Sequence, residues 1–374
     1  MFEKKIIHNI VFDFALIENL LDLNNFLSLI NDKSIIAIDT EFTRRTTYYP
    51  ILSIVQIALK NADNSKIIVI IDAVLCNDLS GLIDKISNPK IIKILHSSVQ
   101  DLQLFFQISN KLPQNIVDTQ IMANFCEKVF NIGYSNLIKE IFKIEICKKM
   151  QISNWQQRPL TKNQIDYALV DVIFLHEIYE NFLTIIKKNN QEAWLEEEMN
   201  DFIKKSLIEN NKNLIKHFSI RGKSKKQIAQ LNNLAILRDQ LAQRQNVPRE
   251  HLITNENLEK IVENSVNFDF NKLNLKNIFV EEIKNSLKIE NNIVDNDEEF
   301  LINEHHKKII NQIKSITAKI AQKYKIKEQF LLNSNQIKKI LKLGIIKGEI
   351  NNWRYKILGN EIENILKKYE NNCS

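Results

Sequence analysis

Residues Ile35–Phe42, read as Ile-Ile-Ala-Ile-Asp-Thr-Glu-Phe, decide how the first half of this chain folds. The stretch begins with apolar, mostly β-branched side chains, which is typical of a buried strand. Asp39 and Glu41 follow, and side chains two positions apart on a strand point to the same face. Two like charges there are costly unless a cation lies between them, and a hard divalent cation prefers carboxylate oxygens. The alternative, a strand that simply emerges into solvent, explains one carboxylate better than two.

Length and composition limit the classes of protein that fit. The chain has 374 residues, of which 44% are hydrophobic, and this length suggests two or three domains of roughly 100–200 residues. No apolar run is long enough to span a bilayer, and the start lacks a signal-peptide pattern, so we expect no membrane partner. The four cysteines are scattered without metal-site spacing, which indicates packing residues of a cytoplasmic protein.

Positive charge is concentrated at the C-terminal end of the chain. Residues 301–374 contain 15 Lys and Arg against 6 Asp and Glu, whereas residues 1–300 contain 36 against 39. This distribution indicates that the C-terminal end meets a polyanion such as a nucleic acid. A lysine-rich surface that is merely solvated is the alternative.

Strands and short helices alternate in the first half of the sequence. The spacing of Leu and Ile predicts a helix over residues 13–31, before the strand at Ile35. Two further strands connected by a short loop should then pair antiparallel. The elements predicted in this region are strands at Ile51–Leu59, Lys66–Ile71 and Ile91–Leu95, and helices at Leu79–Ile86 and Gly133–Phe142.

A third carboxylate lies where a strand passes into a helix. Val99, Leu102 and Phe105 have helical spacing, which places Asp101 in the first turns after the strand that ends at Leu95. Asp101 could simply interact with the helix N-terminus. It could also face Asp39 at the edge of the sheet, because open α/β sheets place their sites at the C-terminal ends of strands.

The last acidic motif lies on a helix predicted over residues 162–187. Thr161 and Gln164 match a capping box at its start. Tyr167 and Asp171 are four positions apart and therefore share one face of the helix. By itself such a pair is often just a surface pair, and it gains meaning only beside the other carboxylates.

The chain after residue 190 shows no convincing strand alternation and is predicted to be helical. An acidic, Asn-rich stretch at Glu290–Glu299 divides this half in two. An amphipathic helix that begins near Ile228 should end at Asn246-Val247-Pro248, since proline does not continue a helix.

Together the acidic residues form an ordered set that suits phosphoryl chemistry. Asp39, Glu41, Asp101 and Asp171 could hold two divalent ions about 3.5–4 Å apart, the arrangement used for in-line displacement at phosphorus. With a reference pKa near 10, the phenol of Tyr167 is a poor base. It is better suited to orient the attacking water by hydrogen bonding.

The order of these motifs resembles the ribonuclease D family, within the DEDD superfamily of 3′→5′ exonucleases. The motifs that carry the resemblance are DTEF with TYYP, then HSSVQDL, then NWQQRPL with DYALVDV. Tyr167, four positions before Asp171, places the chain in the tyrosine branch of the superfamily. Two departures, Asn154 for Asp and Ser97-Ser98 for Ala-Gly, do not involve a metal ligand, so we expect an active enzyme.

The resemblance implies an α/β exonuclease domain, an RNase H-like mixed sheet flanked by helices, followed by two small all-α domains. These are similar to helicase-and-RNase-D C-terminal (HRDC) domains, although the first lacks the tryptophan that usually precedes Arg238. The implied organisation is an exonuclease domain at 1–200, a connecting segment at 201–225, HRDC-type domains at 226–288 and 301–372, and a linker at 289–300.

The resemblance also implies a function. It is hydrolysis of RNA from the 3′ end to nucleoside 5′-monophosphates by a cytoplasmic monomer, with two Mg²⁺ or Mn²⁺ ions, in maturation of tRNA precursors. Catalysis and metal binding fall to the four carboxylates, with Tyr167 in the catalytic set. Phe42 could stack on a terminal base, and Arg44 and His96 could contact phosphate. A 3′→5′ DNA exonuclease and a non-catalytic RNA-binding protein are the alternatives, because carboxylates alone do not distinguish ribose from deoxyribose.

Overall fold

The computed structural model describes residues 2–147, 149–208, 214–264, 268–273, 275–288 and 302–370. Contacts within the chain divide it into two compact units. The first unit comprises Met1–Glu41, Leu52–Leu207 and Phe300–Ser374, and the second comprises Phe42–Ile51 and Ile208–Glu299.

A seven-stranded mixed sheet forms the centre of the first unit. Its strands are β1 (Glu3–Ile7), β2 (Ile10–Ile17), β3 (Ile35–Thr43), β4 (Ile51–Lys60), β5 (Lys66–Asp72), β6 (Ile92–Leu95) and β7 (Ile116–Asp118), in the spatial order β1-β2-β5-β4-β3-β6-β7. Pairs β1–β2 and β4–β5 are antiparallel, whereas β2–β5, β3–β6 and β6–β7 are parallel. The expectations of a mixed sheet and of an antiparallel pair after β3 are confirmed.

The helix predicted over residues 13–31 is wrong in its first part. Ile10–Ile17 is strand β2, and the helix that follows covers only Leu20–Ser28. Phe12 and Phe14 are buried two positions apart on β2, so the period of two prevails over the helical spacing. The helix begins after Asn19, whose side chain accepts a hydrogen bond from the backbone N–H of Asp22.

Helices cover both ends of the strand region and follow the pattern that the sequence predicts. They are α1 (Leu20–Ser28), α2 (Ser80–Ser87), α3 (Val99–Ser109), α4 (Thr119–Phe125), α5 (Tyr134–Phe142), α6 (Lys162–Ile173), α7 (Leu175–Lys188) and α8 (Glu192–Ile208). The single helix predicted over 162–187 is two helices, because α6 ends at Phe174, which is buried against Phe142 with 4.9 Å between ring centroids.

Four helices near the C-terminus pack into the same unit as the sheet. They are α13 (Glu304–Tyr324), α14 (Glu328–Leu331), α15 (Ser334–Leu343) and α16 (Asn352–Glu370). Phe330 and Trp353 join Phe125 of α4 in one buried aromatic cluster, with ring centroids 5.1 and 5.6 Å from Phe125. The backbone N–H of Lys327 also donates to the carbonyl of Asn124 at 3.1 Å.

The second unit is helical apart from the loop Phe42–Ile51. Its helices are α9 (Lys225–Gln245), α10 (Arg249–Leu252), α11 (Asn255–Glu263) and α12 (Asn277–Lys288). Helix α9 ends where the sequence predicts, with Asn246 in the left-handed conformation. Its own core contains Leu231, Leu258 and Ile283.

A helical C-terminal half is therefore confirmed within the described residues. The boundaries predicted at residues 200, 225, 288 and 300 stay predictions, and the predicted linker 289–300 lies outside the described residues. Among the residues described, no helix has both the length and the apolar character that crossing a membrane requires.

Candidate active site

Strand β3 carries two of the predicted carboxylates to one face of the sheet. Asp39 and Glu41 are both half-buried on β3, two positions apart. One carboxylate oxygen from each, together with one from Asp171 of α6, lie within 4.8 Å of one another. The sequence prediction that these three side chains converge is therefore met by the geometry.

Asp101 reaches the same region from the start of α3. It is 7% exposed, and the hydroxyl of Thr40, between the two acidic residues of β3, donates to its carboxylate. The turn before α3 is held by Asp118, which accepts hydrogen bonds from the backbone N–H groups of Ser97 and Ser98 at 3.1 and 2.8 Å. Ser97 adopts a positive φ of 59° in this turn, a conformation that glycine adopts more easily.

Helix α6 brings the remaining pair of predicted residues. Its first turn is fixed by the capping box of Thr161 and Gln164, as the sequence predicts. Tyr167 and Asp171 lie one turn apart, and the tyrosine hydroxyl interacts with the carboxylate and lowers its pKa. The ring of Trp155, in the loop before the helix, lies 6.0 Å from the ring of Tyr167.

Burial and mutual repulsion dominate the electrostatics of this cluster. Burial, and then the charges of Asp171, Asp101 and Glu41, raise the pKa of Asp39 well above its ordinary value. The same causes, burial first, raise the pKa of Glu41 to about 9. Burial raises the pKa of Asp101 to about 6 and that of Asp171 to about 7. The four groups therefore cannot all be ionised at neutral pH without a compensating positive charge.

The donor set fits divalent metal ions. No described Lys, Arg or His forms an ion pair with any of the four carboxylates. All candidate ligand atoms are carboxylate oxygens, which suit hard cations such as Mg²⁺ and Mn²⁺. Such cations would provide the positive charge that the protein itself does not supply.

The three predicted substrate contacts have different surroundings. Phe42 directly follows Glu41 on β3 and is half-buried. Arg44 is exposed, and its Nε donates to the carbonyl of Tyr48 at 2.8 Å. His96 is bonded at both ring nitrogens, to the Thr119 hydroxyl at 2.9 Å and to the Ile132 carbonyl at 3.0 Å. In this arrangement His96 has no ring nitrogen left for phosphate.

Sequence reasoning missed two residues near the cluster. Tyr134 donates its hydroxyl to the carbonyl of Val170 at 2.8 Å, and burial together with the charges of Asp171 and Asp39 raises its pKa. Asp118 was interpreted only as a helix cap. It does cap α4 by accepting from Gln120, but it also holds the turn that carries Asp101. Neither role has a local sequence signal, since both depend on contacts across the fold.

Comparison with known proteins gives the same class as the fold and the acidic cluster. A family model described as 3′–5′ exonuclease matches residues 14–187. A ribonuclease D of Bartonella henselae is 27% identical over 371 residues, which cover 94% of this chain and 90% of that protein. A ribonuclease D of Jannaschia is 31% identical over 60% of this chain and 58% of that protein.

The solved structure of Escherichia coli RNase D shows the same fold. It superposes with a TM-score of 0.76 and covers 95% of this chain and 99% of that one, at 22% identity. The mixed sheet with convergent carboxylates and the 3′–5′ exonuclease match define the class as a 3′→5′ exonuclease. The chain belongs to the ribonuclease D family, and its activity is that of a 3′→5′ exoribonuclease.

Proposed function

We propose that this exoribonuclease trims the 3′ ends of tRNA precursors and releases nucleoside 5′-monophosphates, with Asp39, Glu41, Asp101 and Asp171 as the metal-binding carboxylates. The observation that carries the proposal is the approach of the Asp39, Glu41 and Asp171 oxygens to within 4.8 Å of one another. Asp101 is held next to them by Thr40.

Two Mg²⁺ or Mn²⁺ ions are the cofactors that suit this set. When bound, such ions supply a nucleophile at neutral pH and stabilise the negative charge that develops on the departing oxygen. The contribution of the chain is to hold four carboxylates in place against their repulsion. Thr40 orients Asp101, and the capped first turn of α6 orients Asp171.

Tyr167 acts in this proposal as a neutral hydrogen-bond donor. Burial and the charges of Asp171, Glu41 and Asp39 raise its pKa above the ordinary tyrosine value. The phenol therefore keeps its proton at neutral pH and does not serve as a base. Its hydroxyl can orient the attacking water next to the carboxylates.

RNA of the tRNA-precursor type is the proposed partner. The Escherichia coli structural relative is described as involved in structured RNA processing. The helical segments 226–288 and 301–372 are proposed as HRDC-type domains that bind the folded body of the substrate. The surplus of Lys and Arg after residue 300 suits a polyanion. We propose a monomer that works in the cytoplasm.

The proposal is tested with 5′-labelled RNA and DNA strands of identical sequence. The wild-type chain should shorten the RNA stepwise from its 3′ end with Mg²⁺ and leave it intact with EDTA. Asp39→Asn and Asp171→Asn should abolish shortening while the circular dichroism spectrum is unchanged. Asp166→Asn is the matched control, because Asp166 lies on α6 outside the acidic cluster.

Three outcomes would contradict the proposal. Near-wild-type turnover by either cluster variant would remove that residue from the site. Shortening of RNA in EDTA would exclude the metal-binding role. Efficient shortening of DNA but not RNA would favour a DNA exonuclease. A tRNA precursor with a 3′ trailer should be trimmed to a discrete end rather than degraded.

A further inference from the structure

The second unit contains a polar pocket that the proposed chemistry does not use. The pocket encloses about 370 Å³, within the range of small-ligand sites. We call it the arginine pocket. Its lining residues are Arg44, Thr47, Tyr48, His217, Arg238, Pro248, Arg249, Glu250 and Asn255.

A buried hydrogen-bond network builds one wall of the arginine pocket. Tyr48 is 6% exposed, and its hydroxyl donates to Asp239 at 2.8 Å. Gln243 and Arg249 each donate to the tyrosine oxygen at 3.1 Å. Arg249 also pairs with Asp239 through its Nε. The loop that carries Tyr48 is thereby fixed against helix α9, and the pocket is a preformed feature of the unit.

The charges around the arginine pocket leave a positive surplus. Asp239 is paired with Arg249, and Glu250 lies 3.4 Å from Arg238. These two pairs nearly cancel. Arg44 is the third arginine of the lining, and its guanidinium lies 5.6 Å from the centroid of the Tyr48 ring. One guanidinium therefore exceeds the carboxylates that line or support the pocket.

Two polar atoms at the pocket lack a partner among the described residues. Arg238 is 4% exposed, and its Nε has no hydrogen-bond acceptor. The side-chain oxygen of Asn255 is also buried without a donor. Burying an unsatisfied donor costs about 1–3 kcal/mol. An oxygen-rich anion in the pocket would accept from Arg238 and pair with Arg44.

We propose that the arginine pocket binds a phosphate group of the RNA substrate, remote in sequence from the acidic residues. Planar guanidinium groups bind phosphate through paired hydrogen bonds, and Arg44 and Arg238 supply them here. The identity of the polyanion as RNA rests on the proposed function. The same phosphate chemistry could come from a free nucleoside monophosphate, and the experiment separates these sources.

The test measures binding of a 5′-labelled single-stranded RNA to the full chain in EDTA, which prevents cleavage. Fluorescence anisotropy gives the affinity at several salt concentrations. Arg44→Gln should weaken binding several-fold and reduce the slope of log K against log salt by about 0.7, the contribution of one phosphate contact on a single strand. Arg45→Gln is the matched control, because it removes the same charge one position away and Arg45 does not line the pocket.

A second measurement identifies the source of the phosphate. Thermal unfolding is followed with inorganic phosphate or adenosine 5′-monophosphate, since a ligand that binds only the folded state raises Tm. Stabilisation of the wild type but not of Arg44→Gln, together with the RNA result, supports the proposal. Stabilisation without any change in RNA affinity overturns the RNA assignment in favour of a free nucleotide.

The proposal is overturned if Arg44→Gln and Arg45→Gln have equal affinities and equal salt slopes for RNA. Circular dichroism of both variants checks that each is folded. A failure of the pocket remains distinct from a failure of the proposed function. The wild-type chain either shortens RNA with Mg²⁺ or does not, whatever the effect of Arg44.

Discussion

Asp39 shows at the scale of a single residue how the candidate site is held in tension. Burial and three neighbouring carboxylates raise its pKa, so in the absence of cations the charged form destabilises the fold. The surrounding sheet and helices supply the energy that holds these groups together. Divalent ions would convert this repulsion into attraction, which makes folding and metal binding depend on one another.

Glu41 should make the stability of the metal-free protein depend on pH. Its pKa is about 9 in the fold and near 4.3 in an unfolded chain, so the folded state binds the proton more tightly. The stabilisation is complete below about pH 4 and is lost as the pH rises through 9. In EDTA, Glu41→Gln should therefore gain in Tm over the wild type by a few degrees between pH 6 and pH 9.

Thermal unfolding of both proteins over this pH range measures the effect. With saturating Mg²⁺ the order should reverse, because the variant loses a ligand. Parallel Tm curves for the two proteins in EDTA would show that Glu41 is not strained by its surroundings.

Tyr167→Phe should separate positioning from metal binding. The change removes one hydroxyl and keeps all four carboxylates, and groups that position or transfer protons typically contribute about 10²–10⁴-fold. We expect kcat to fall within this range while the Mg²⁺ concentration for half-maximal activity stays unchanged. Full activity would reduce Tyr167 to a packing partner of Trp155.

At the scale of secondary-structure elements, each carboxylate depends on how its strand or helix is anchored. Helix α3 starts from a turn that Asp118 holds. Helix α6 follows a loop that Arg158 attaches to the end of β5, where the guanidinium pairs with the fully buried Asp72. Arg158 also donates to the carbonyls of Ser53 at 2.9 Å and Trp155 at 2.7 Å. This clamp fixes the entry to the helix that carries Asp171.

Arg158→Gln should be strongly destabilising. Removing one partner of a buried ion pair leaves an uncompensated charge and costs roughly 3–5 kcal/mol. The free energy of unfolding in urea measures this loss, and kcat should fall because the loop before α6 is released. Lys111→Gln is the control, since its pair with Asp84 is exposed on both sides and should contribute no more than about 1 kcal/mol. Similar losses for the two variants would contradict the clamp.

At the scale of the whole molecule, the helices after residue 302 are part of the unit that contains the sheet. Glu198 of α8 pairs with Arg354, which is 6% exposed, and accepts from the indole N–H of Trp353 at 3.1 Å. The Trp353 ring stacks on Trp194 with 5.2 Å between centroids. These contacts make the C-terminal helices part of the stability of the catalytic region, whatever they bind.

Glu198→Gln should therefore loosen the C-terminal helices. The change leaves the Arg354 charge buried without its carboxylate, at a cost of roughly 3 kcal/mol. Hydrogen exchange should increase in α13–α16 and in α8 together. Glu196→Gln on the same helix is the control, because Glu196 is exposed. Unchanged exchange in both variants would show that the helices dock without this ion pair.

The sequence by itself determined the features that depend on near neighbours. A period of two at the end of β3 places Asp39 and Glu41 on one face, and a spacing of four places Tyr167 and Asp171 on one side of α6. The capping box at Thr161 and the helical character after residue 190 follow from the same local rules. The family resemblance rests on these motifs, so the fold class and the candidate site were predictable.

Only the tertiary structure decided the features that depend on distant partners. Residues 10–17 form a strand because β1 and β5 pair with them on either side. Tyr48 bonds Asp239, 191 positions away, and Glu198 bonds Trp353, 155 positions away. The loop after β3 thus belongs to a helical unit, and the last helices belong to the sheet unit. Local spacing carries no information about such pairs, since their energy arises only when the chain closes on itself.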